Sequence, residues 1–138
     1  MSAPPGSFRA AVESKDLAAI TRTLAPDIEF HSPVMVKPYR GADSVTGLLS
    51  VLLEVFEDFS YTHDLAGRDP AGNGGAPPVQ ALVFTAKVMG TRVQGLDLIT
   101  FDGKGLVRDL TVMVRPLPAA MTLARAVGRR MQEIEESA

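Results

Sequence analysis

The segment GLDLITFDGKGLV, residues 95–107, decides the fold that the sequence predicts. Its first seven residues are mostly apolar, and DGKG at residues 102–105 has the composition of a tight hairpin turn. This pattern predicts two antiparallel strands, over residues 92–101 and 106–114. A third β-prone run over residues 79–88 comes directly before them, so three consecutive strands are expected.

The residues on either side of these strands predict helices and shorter strands. Ser7 and Asp16 are suited to be N-caps, because their side chains can accept a hydrogen bond from the first helical turn. Apolar residues at helical spacing predict helices over residues 7–14, 16–24, 43–56 and 117–136. Short β-prone runs predict strands over residues 28–32 and 59–65.

Together these elements predict one α+β domain over residues 1–138, with a strongly curved, mostly antiparallel sheet. The Gly- and Pro-rich stretch at residues 66–78 predicts a flexible loop between two strands. No helix begins after this stretch and no Lys-Ser/Thr pair follows it, so a phosphate-binding loop is not favoured.

Composition narrows the class of protein. The chain has 14 basic and 16 acidic residues, a net charge of −2, which argues against partners such as nucleic acids or anionic membranes. It has no cysteine and two histidines, so we expect no metal, and we expect no cofactor. We see neither a signal peptide nor a membrane span, and therefore expect a cytoplasmic protein. With 46% hydrophobic and 22% charged residues, apolar surface must lie in a pocket or at a subunit interface.

The order of the elements and three motifs carry a resemblance to a known family. The motifs are LAPDIEFHSP at residues 24–33, YRG at residues 39–41, and GLDLITFDGKGLV. The pattern resembles the nuclear transport factor 2-like superfamily, which includes ketosteroid isomerases, limonene epoxide hydrolases and SnoaL-like polyketide cyclases. The resemblance implies a cone in which the curved sheet wraps around a long helix and leaves an apolar cavity. It also implies a homodimer through the outer face of the sheet, with the C-terminal helix as an extension.

Three polar positions of the ketosteroid isomerases can be carried over one by one. Asp97 matches their oxyanion-hole aspartate, five residues before the turn that begins at Asp102. Ser32, before Pro33, stands where they have the general-base aspartate, and Phe8 stands where they have a tyrosine. Serine is not a carboxylate base and phenylalanine has no hydroxyl, so the resemblance does not support steroid isomerisation by that mechanism.

The epoxide hydrolases provide a second template. Asp97 again matches, but Gly95 stands where they have an arginine. Asp109 lies on the strand that carries their second aspartate. If Asp97 faces the cavity and the two strands pair in the register of the isomerases, alternation turns Asp109 outwards, although a bulge would reverse that direction.

Asp97 is the candidate catalytic residue, if there is one. Its neighbours are apolar, so burial would raise its pKa and make it a neutral acid or an anchor for a ligand. The alternative is a structural carboxylate. His31 and His63 are possible polar helpers, although a structural role is favoured for both; alternation predicts that His31 points away from the cavity.

We expect a small apolar or polycyclic molecule to bind in the cavity. The residues expected to line it are Phe30, Ser32, Tyr39, Leu48, Leu52, Ile99, Phe101, Val112 and Val114. Two alternatives remain open. One is a lyase, isomerase or hydrolase that uses Asp97 as general acid. The other is a non-catalytic dimeric interaction module whose terminal helix docks on a partner.

Overall fold

A computed structural model describes residues 6–68 and 78–137 of the chain. The helices are α1 (Phe8–Ser14), α2 (Leu17–Thr23), α3 (Ala42–Val55) and α4 (Leu117–Ser137). The strands are β1 (Leu24–His31), β2 (Tyr39–Arg40), β3 (Glu57–Arg68), β4 (Pro78–Val88), β5 (Thr91–Phe101) and β6 (Val107–Arg115). They form one six-stranded mixed sheet in the order β2-β1-β6-β5-β4-β3. The α+β class and the C-terminal helix are confirmed.

Local sequence signals account for the ends of several elements. The Ser7 hydroxyl accepts the N–H of Ala10 at 3.1 Å and the Asp16 carboxylate accepts that of Ala19 at 3.1 Å, so both predicted N-caps are confirmed. In the predicted hairpin turn, Asp102 accepts the N–H groups of Lys104 and Leu106 at 2.9 and 3.0 Å.

The first strand is longer than predicted. β1 begins at Leu24 and contains Pro26, although we expected it to start at residue 28. Its pairing with β6 is parallel and shifts register between Leu24 and Glu29, and a proline, which has no N–H to donate, fits in such an irregular stretch. The two-residue strand β2 lies in the YRG motif, where no strand was predicted, since two residues show no periodicity.

The loop predicted over residues 66–78 is wrong at both of its ends. Residues 66–68 belong to β3 and pair with the beginning of β4, which starts at Pro78. The backbone hydrogen bonds between these strands continue past the apolar residues that mark the strands in the sequence. Residues 69–77, the remainder of that predicted loop, lie outside the described residues.

One face of the sheet packs against the helices, and we call it the inner face. Asp97 pairs with Val112 and Ile99 with Leu110, so these four side chains share that face. The helix α3 contributes buried residues such as Val45 to the same core. None of the described helices is both long and apolar enough to cross a membrane.

Candidate functional site

Asp97 is the only buried charged side chain in the described part of the chain, with 7% of its surface exposed. It lies on β5 and points from the inner face into the core. Its carboxylate accepts a hydrogen bond from the Tyr61 hydroxyl, with the two oxygens 3.0 Å apart. Burial raises the pKa of Asp97 to about 7, and the hydrogen bond from Tyr61 opposes that rise. Near neutral pH this group can therefore either hold or release a proton.

Tyr61 reaches Asp97 from β3, across the intervening strand β4. Its ring packs edge-on against Phe59, with ring centroids 4.9 Å apart. Burial, followed by the nearby charge of Asp97, raises the pKa of Tyr61 well above its ordinary value. The tyrosine therefore stays protonated and acts as a hydrogen-bond donor to Asp97.

Phe8, which stands where the isomerase resemblance has a tyrosine, has no hydroxyl, and the hydroxyl beside Asp97 belongs to Tyr61 of β3. Phe8 is buried in α1 and faces the same cavity as Asp97 and Tyr61. Tyr61 was not predicted as a site residue from the sequence. Its alternation with Phe59 was visible, but alternation alone does not say which face of a strand is buried.

Two small cavities lie on the inner side of the sheet. The first, which we call the Asp97 cavity, has a volume of about 40 Å³. The second, the Ser32 cavity, has a volume of about 50 Å³ and is bordered on one side by Leu123, Ala124 and Val127 of α4. Leu52, Phe56 and Val112 line both cavities, so these three side chains form the partition between them.

Six of the nine predicted lining residues lie on these cavities. Phe30, Ser32, Tyr39 and Leu48 line the Ser32 cavity, and Leu52 and Val112 line both. Ile99, Phe101 and Val114 line neither. Ile99 is completely buried in the core, Phe101 packs against the core, and Val114 borders a groove beside Met113. Alternation predicts which face a side chain takes, but not whether a neighbour fills the space in front of it.

The Ser32 side chain stabilises the turn that follows β1. Its hydroxyl oxygen accepts the N–H groups of Val34 and Met35, at 3.1 and 2.8 Å. These bonds hold the turn that follows β1. The serine oxygen is therefore already engaged, which makes it a weaker ligand anchor than we expected.

His31 lies on the opposite, outer face of the sheet, in agreement with the predicted alternation. Its Nε2 is 3.2 Å from a carboxylate oxygen of Asp109 and 3.7 Å from one of Glu29. Asp109 faces outwards too, as predicted. Arg40 forms a salt bridge with Glu29 at 3.1 Å. Its guanidinium therefore balances the charge of one of the two carboxylates beside His31. His31 cannot act as a base for a group bound beside Asp97.

His63 also points away from Asp97. The register of β3 shifts between Tyr61 and His63, so the two residues, two positions apart, face opposite sides of the sheet. His63 is exposed, and its Nδ1 is 2.9 Å from the hydroxyl of its neighbour Thr62. The bulge therefore determines which way His63 points, which the sequence alone did not show.

Gly95 has a steric role on the inner face. A Cβ atom at this position would overlap the ring of Phe84. That ring lies over the β5 backbone and stacks on Phe59, with ring centroids 4.9 Å apart. An arginine at this position, as in the hydrolase template, would have to displace the ring.

A polar contact fixes the first helix beside the site. Arg9 of α1 donates a hydrogen bond to Asp64 of β3 at 3.0 Å, and Gln80 of β4 donates to the other carboxylate oxygen at 2.8 Å. These contacts hold α1 against the edge of the sheet. Phe8 and Val12 are thereby kept on the wall of the Asp97 cavity.

Comparisons with known proteins agree with this architecture. The chain is 36% identical to a steroid delta-isomerase from Pseudomonas aeruginosa over 94% of this chain and 89% of that one, with a TM-score of 0.80. It is 30% identical to an uncharacterised protein with a cystatin-like fold from Silicibacter pomeroyi, over 93% and 86% of the two chains, with a TM-score of 0.80.

An NTF2-like protein of unknown function from Cytophaga hutchinsonii shares the fold at 16% identity, with a TM-score of 0.57 over 81% and 87% of the chains. A comparison with curated proteins finds no significant match. The sequence model of the SnoaL-like domain matches residues 7–109. This chain therefore belongs to the SnoaL-like domain family, and its structural neighbours are NTF2-like and ketosteroid isomerase-like proteins.

Proposed function

We propose that this protein binds a small, mostly apolar molecule in the apolar interior of its cone-shaped fold, with Asp97 as the polar anchor. The observation that carries the proposal is the Asp97–Tyr61 pair beside the Asp97 cavity. All other side chains on that cavity are apolar. A buried carboxyl in such surroundings costs folding free energy, and recognition of a ligand is a reason to keep it.

Similarity to a steroid delta-isomerase supports a ligand site in this interior. It does not extend to the isomerase mechanism, because Ser32 and Phe8 stand where the resemblance requires an aspartate and a tyrosine. The isomerase set is therefore incomplete, and binding is the better supported function.

A second candidate function is proton transfer to a bound substrate. The pKa of about 7 at Asp97 favours it, because a general acid works best when its pKa lies near the working pH. Tyr61 would keep the carboxyl oriented. In the described residues neither histidine faces Asp97, so any second proton-transfer group would be water or part of the substrate.

Two further expectations concern partners. We propose a homodimer through the outer face of the sheet, supported by a groove of about 320 Å³ that Val83, Leu96 and Met113 help to line. The interaction-module alternative is less well supported. Leu123, Ala124 and Val127 already pack inside this chain, which leaves less of α4 to dock on a partner.

Ligand-induced thermal stabilisation tests the binding proposal, with small ketones and phenols as probes at pH 6. We expect a probe that stabilises the wild-type protein to lose most of its effect in Asp97→Asn, because the asparagine cannot supply a carboxyl proton. Asp27→Asn, which changes an exposed aspartate, serves as the matched control. Equal stabilisation of wild type and Asp97→Asn would contradict the proposal.

A further inference from the structure

The size of the interior restricts what it can hold. The two cavities have volumes of about 40 and 50 Å³. A dry protein cavity of about 150 Å³ accommodates one benzene ring, and sites for drug-sized molecules span roughly 300–1,000 Å³. Neither cavity alone admits a ring. Even joined, the two cavities are smaller than the space one ring needs, so a single ring also requires the volume that a displaced partition side chain releases.

Of the three partition residues, Val112 and Phe56 are buried, whereas Leu52 is the one that can move most easily. Phe56 is buried and belongs to an aromatic cluster, with its ring centroid 5.6 Å from that of Phe59 and 5.4 Å from that of Phe84. Leu52 is only partly buried on α3 and carries a flexible aliphatic side chain. Movement of Leu52 therefore joins the cavities at a lower cost than movement of Phe56.

The aromatic cluster also fills the part of the interior above β5. The Phe84 ring occupies the space that the missing side chain of Gly95 leaves open, and it stacks on Phe59. Close packing of three phenylalanine rings resists the displacement that a larger ligand would require. The cluster thus sets an upper limit on ligand size.

The polar groups restrict the ligand further. One carboxylate oxygen of Asp97 is engaged by Tyr61, which leaves the other oxygen for a ligand. The Ser32 oxygen accepts two backbone N–H groups. On the Asp97 cavity, Asp97 and Tyr61 are the only polar lining residues, so a ligand there has one main polar contact, the free oxygen of the Asp97 carboxyl.

From these contacts we infer that the ligand is a single-ring molecule with one oxygen function, such as a monocyclic ketone or a phenol, and not a fused polycyclic compound. This inference rests on the proposed function and narrows its ligand class. The ring extends across the opening that forms when the Leu52 side chain moves, and its oxygen forms a hydrogen bond with the Asp97 carboxyl. It replaces the broader expectation of an apolar or polycyclic ligand.

Binding of size-graded probes by isothermal calorimetry at pH 6 tests the inference. The probes are 4-methylcyclohexanone, methylcyclohexane as its oxygen-free match, and the tetracyclic androst-4-ene-3,17-dione. We expect the wild-type protein to prefer the monocyclic ketone to each of the others by roughly tenfold or more. Leu52→Ala removes part of the partition and widens the opening between the cavities. It should therefore reduce the discrimination against the tetracyclic ketone. Leu65→Ala changes an exposed residue and should leave it unaltered.

The outcomes separate the inference from the proposed function. Binding of the tetracyclic ketone as tight as that of the monocyclic ketone, and dependent on Asp97, would overturn the size limit but keep the function. Equal affinity for methylcyclohexane and 4-methylcyclohexanone would overturn the role of the oxygen. Absence of binding by all three probes would overturn the inference and count against the proposed function as well. The comparison of probes within wild-type protein does not depend on whether Leu52→Ala folds.

Discussion

Two carboxylates on neighbouring strands have hydrogen-bonding partners at nearly the same distance, yet their surroundings differ. Asp97 on the inner face is 3.0 Å from the Tyr61 hydroxyl, and Asp109 on the outer face is 3.2 Å from the His31 ring. The first is 7% exposed, whereas 36% of the Asp109 side chain is exposed. Burial raises the pKa of Asp97 to about 7. Burial, rather than the distance to a hydrogen-bonding partner, is therefore what raises the pKa of Asp97.

The largest expected effect is a pH-dependent stability that originates at Asp97. Its pKa is about 7 in the folded chain and 3.8 in the reference state, so the folded protein binds more protons between these values. Stability therefore falls as the pH rises through that window, by about 3 kcal/mol between pH 5 and pH 8. Asp97→Asn should remove most of this loss and be more stable than wild type at pH 8. Urea unfolding at both pH values measures it.

The control for that experiment is Asp27→Asn, which should keep the wild-type dependence because Asp27 is exposed. A loss of stability between pH 5 and pH 8 that is the same in wild type and Asp97→Asn would show that burial of Asp97 does not control this titration.

A smaller effect is expected from Tyr61→Phe, which sharpens the inner half of the comparison. Removal of the hydroxyl leaves the buried carboxylate without its donor and should cost about 1–2 kcal/mol at pH 8. Because that hydrogen bond lowers the pKa of Asp97, its loss should also move the stability transition to higher pH. The cost should be smaller at pH 5, where Asp97 is protonated.

Tyr39→Phe provides the matched control, since Tyr39 is partly buried and packs edge-on against Phe30 with ring centroids 6.3 Å apart. Urea unfolding across pH 5 to 8 distinguishes the two variants. A transition that stays at the wild-type pH in Tyr61→Phe would rule out Tyr61 as a positioning residue for Asp97.

The smallest effect is expected on the outer face. Asp109→Asn removes a charge from a half-exposed cluster, and solvent screens such pairs, so the change in stability should be at most about 1 kcal/mol. The binding of a probe in the interior should not change. Urea unfolding at pH 6 and calorimetry with 4-methylcyclohexanone measure the two effects. A loss of stability in Asp109→Asn as large as that in Tyr61→Phe would contradict the expected difference between the outer and inner faces.

Much of the architecture could be predicted because it depends on local patterns. Alternation within β5 and β6, together with the strand register of the isomerases, predicted Asp97 and Val112 on one face and Asp109 on the other. The side chains of Ser7 and Asp16 marked the starts of α1 and α2. Such signals act over a few residues and need no knowledge of distant contacts.

Periodicity and turn chemistry, which involve only neighbouring residues, predicted the α+β elements, and the motifs carried the family resemblance. The expectation that Asp97 faces the cavity came from that resemblance and not from a local pattern. Tertiary structure decided that Tyr61 is the partner of Asp97, since a bulge and the pairing of three strands bring them together. It also decided that Ile99 is enclosed in the core while Leu52 borders two cavities. The physical reason is that packing density depends on every element that meets at a point, and no local pattern records it.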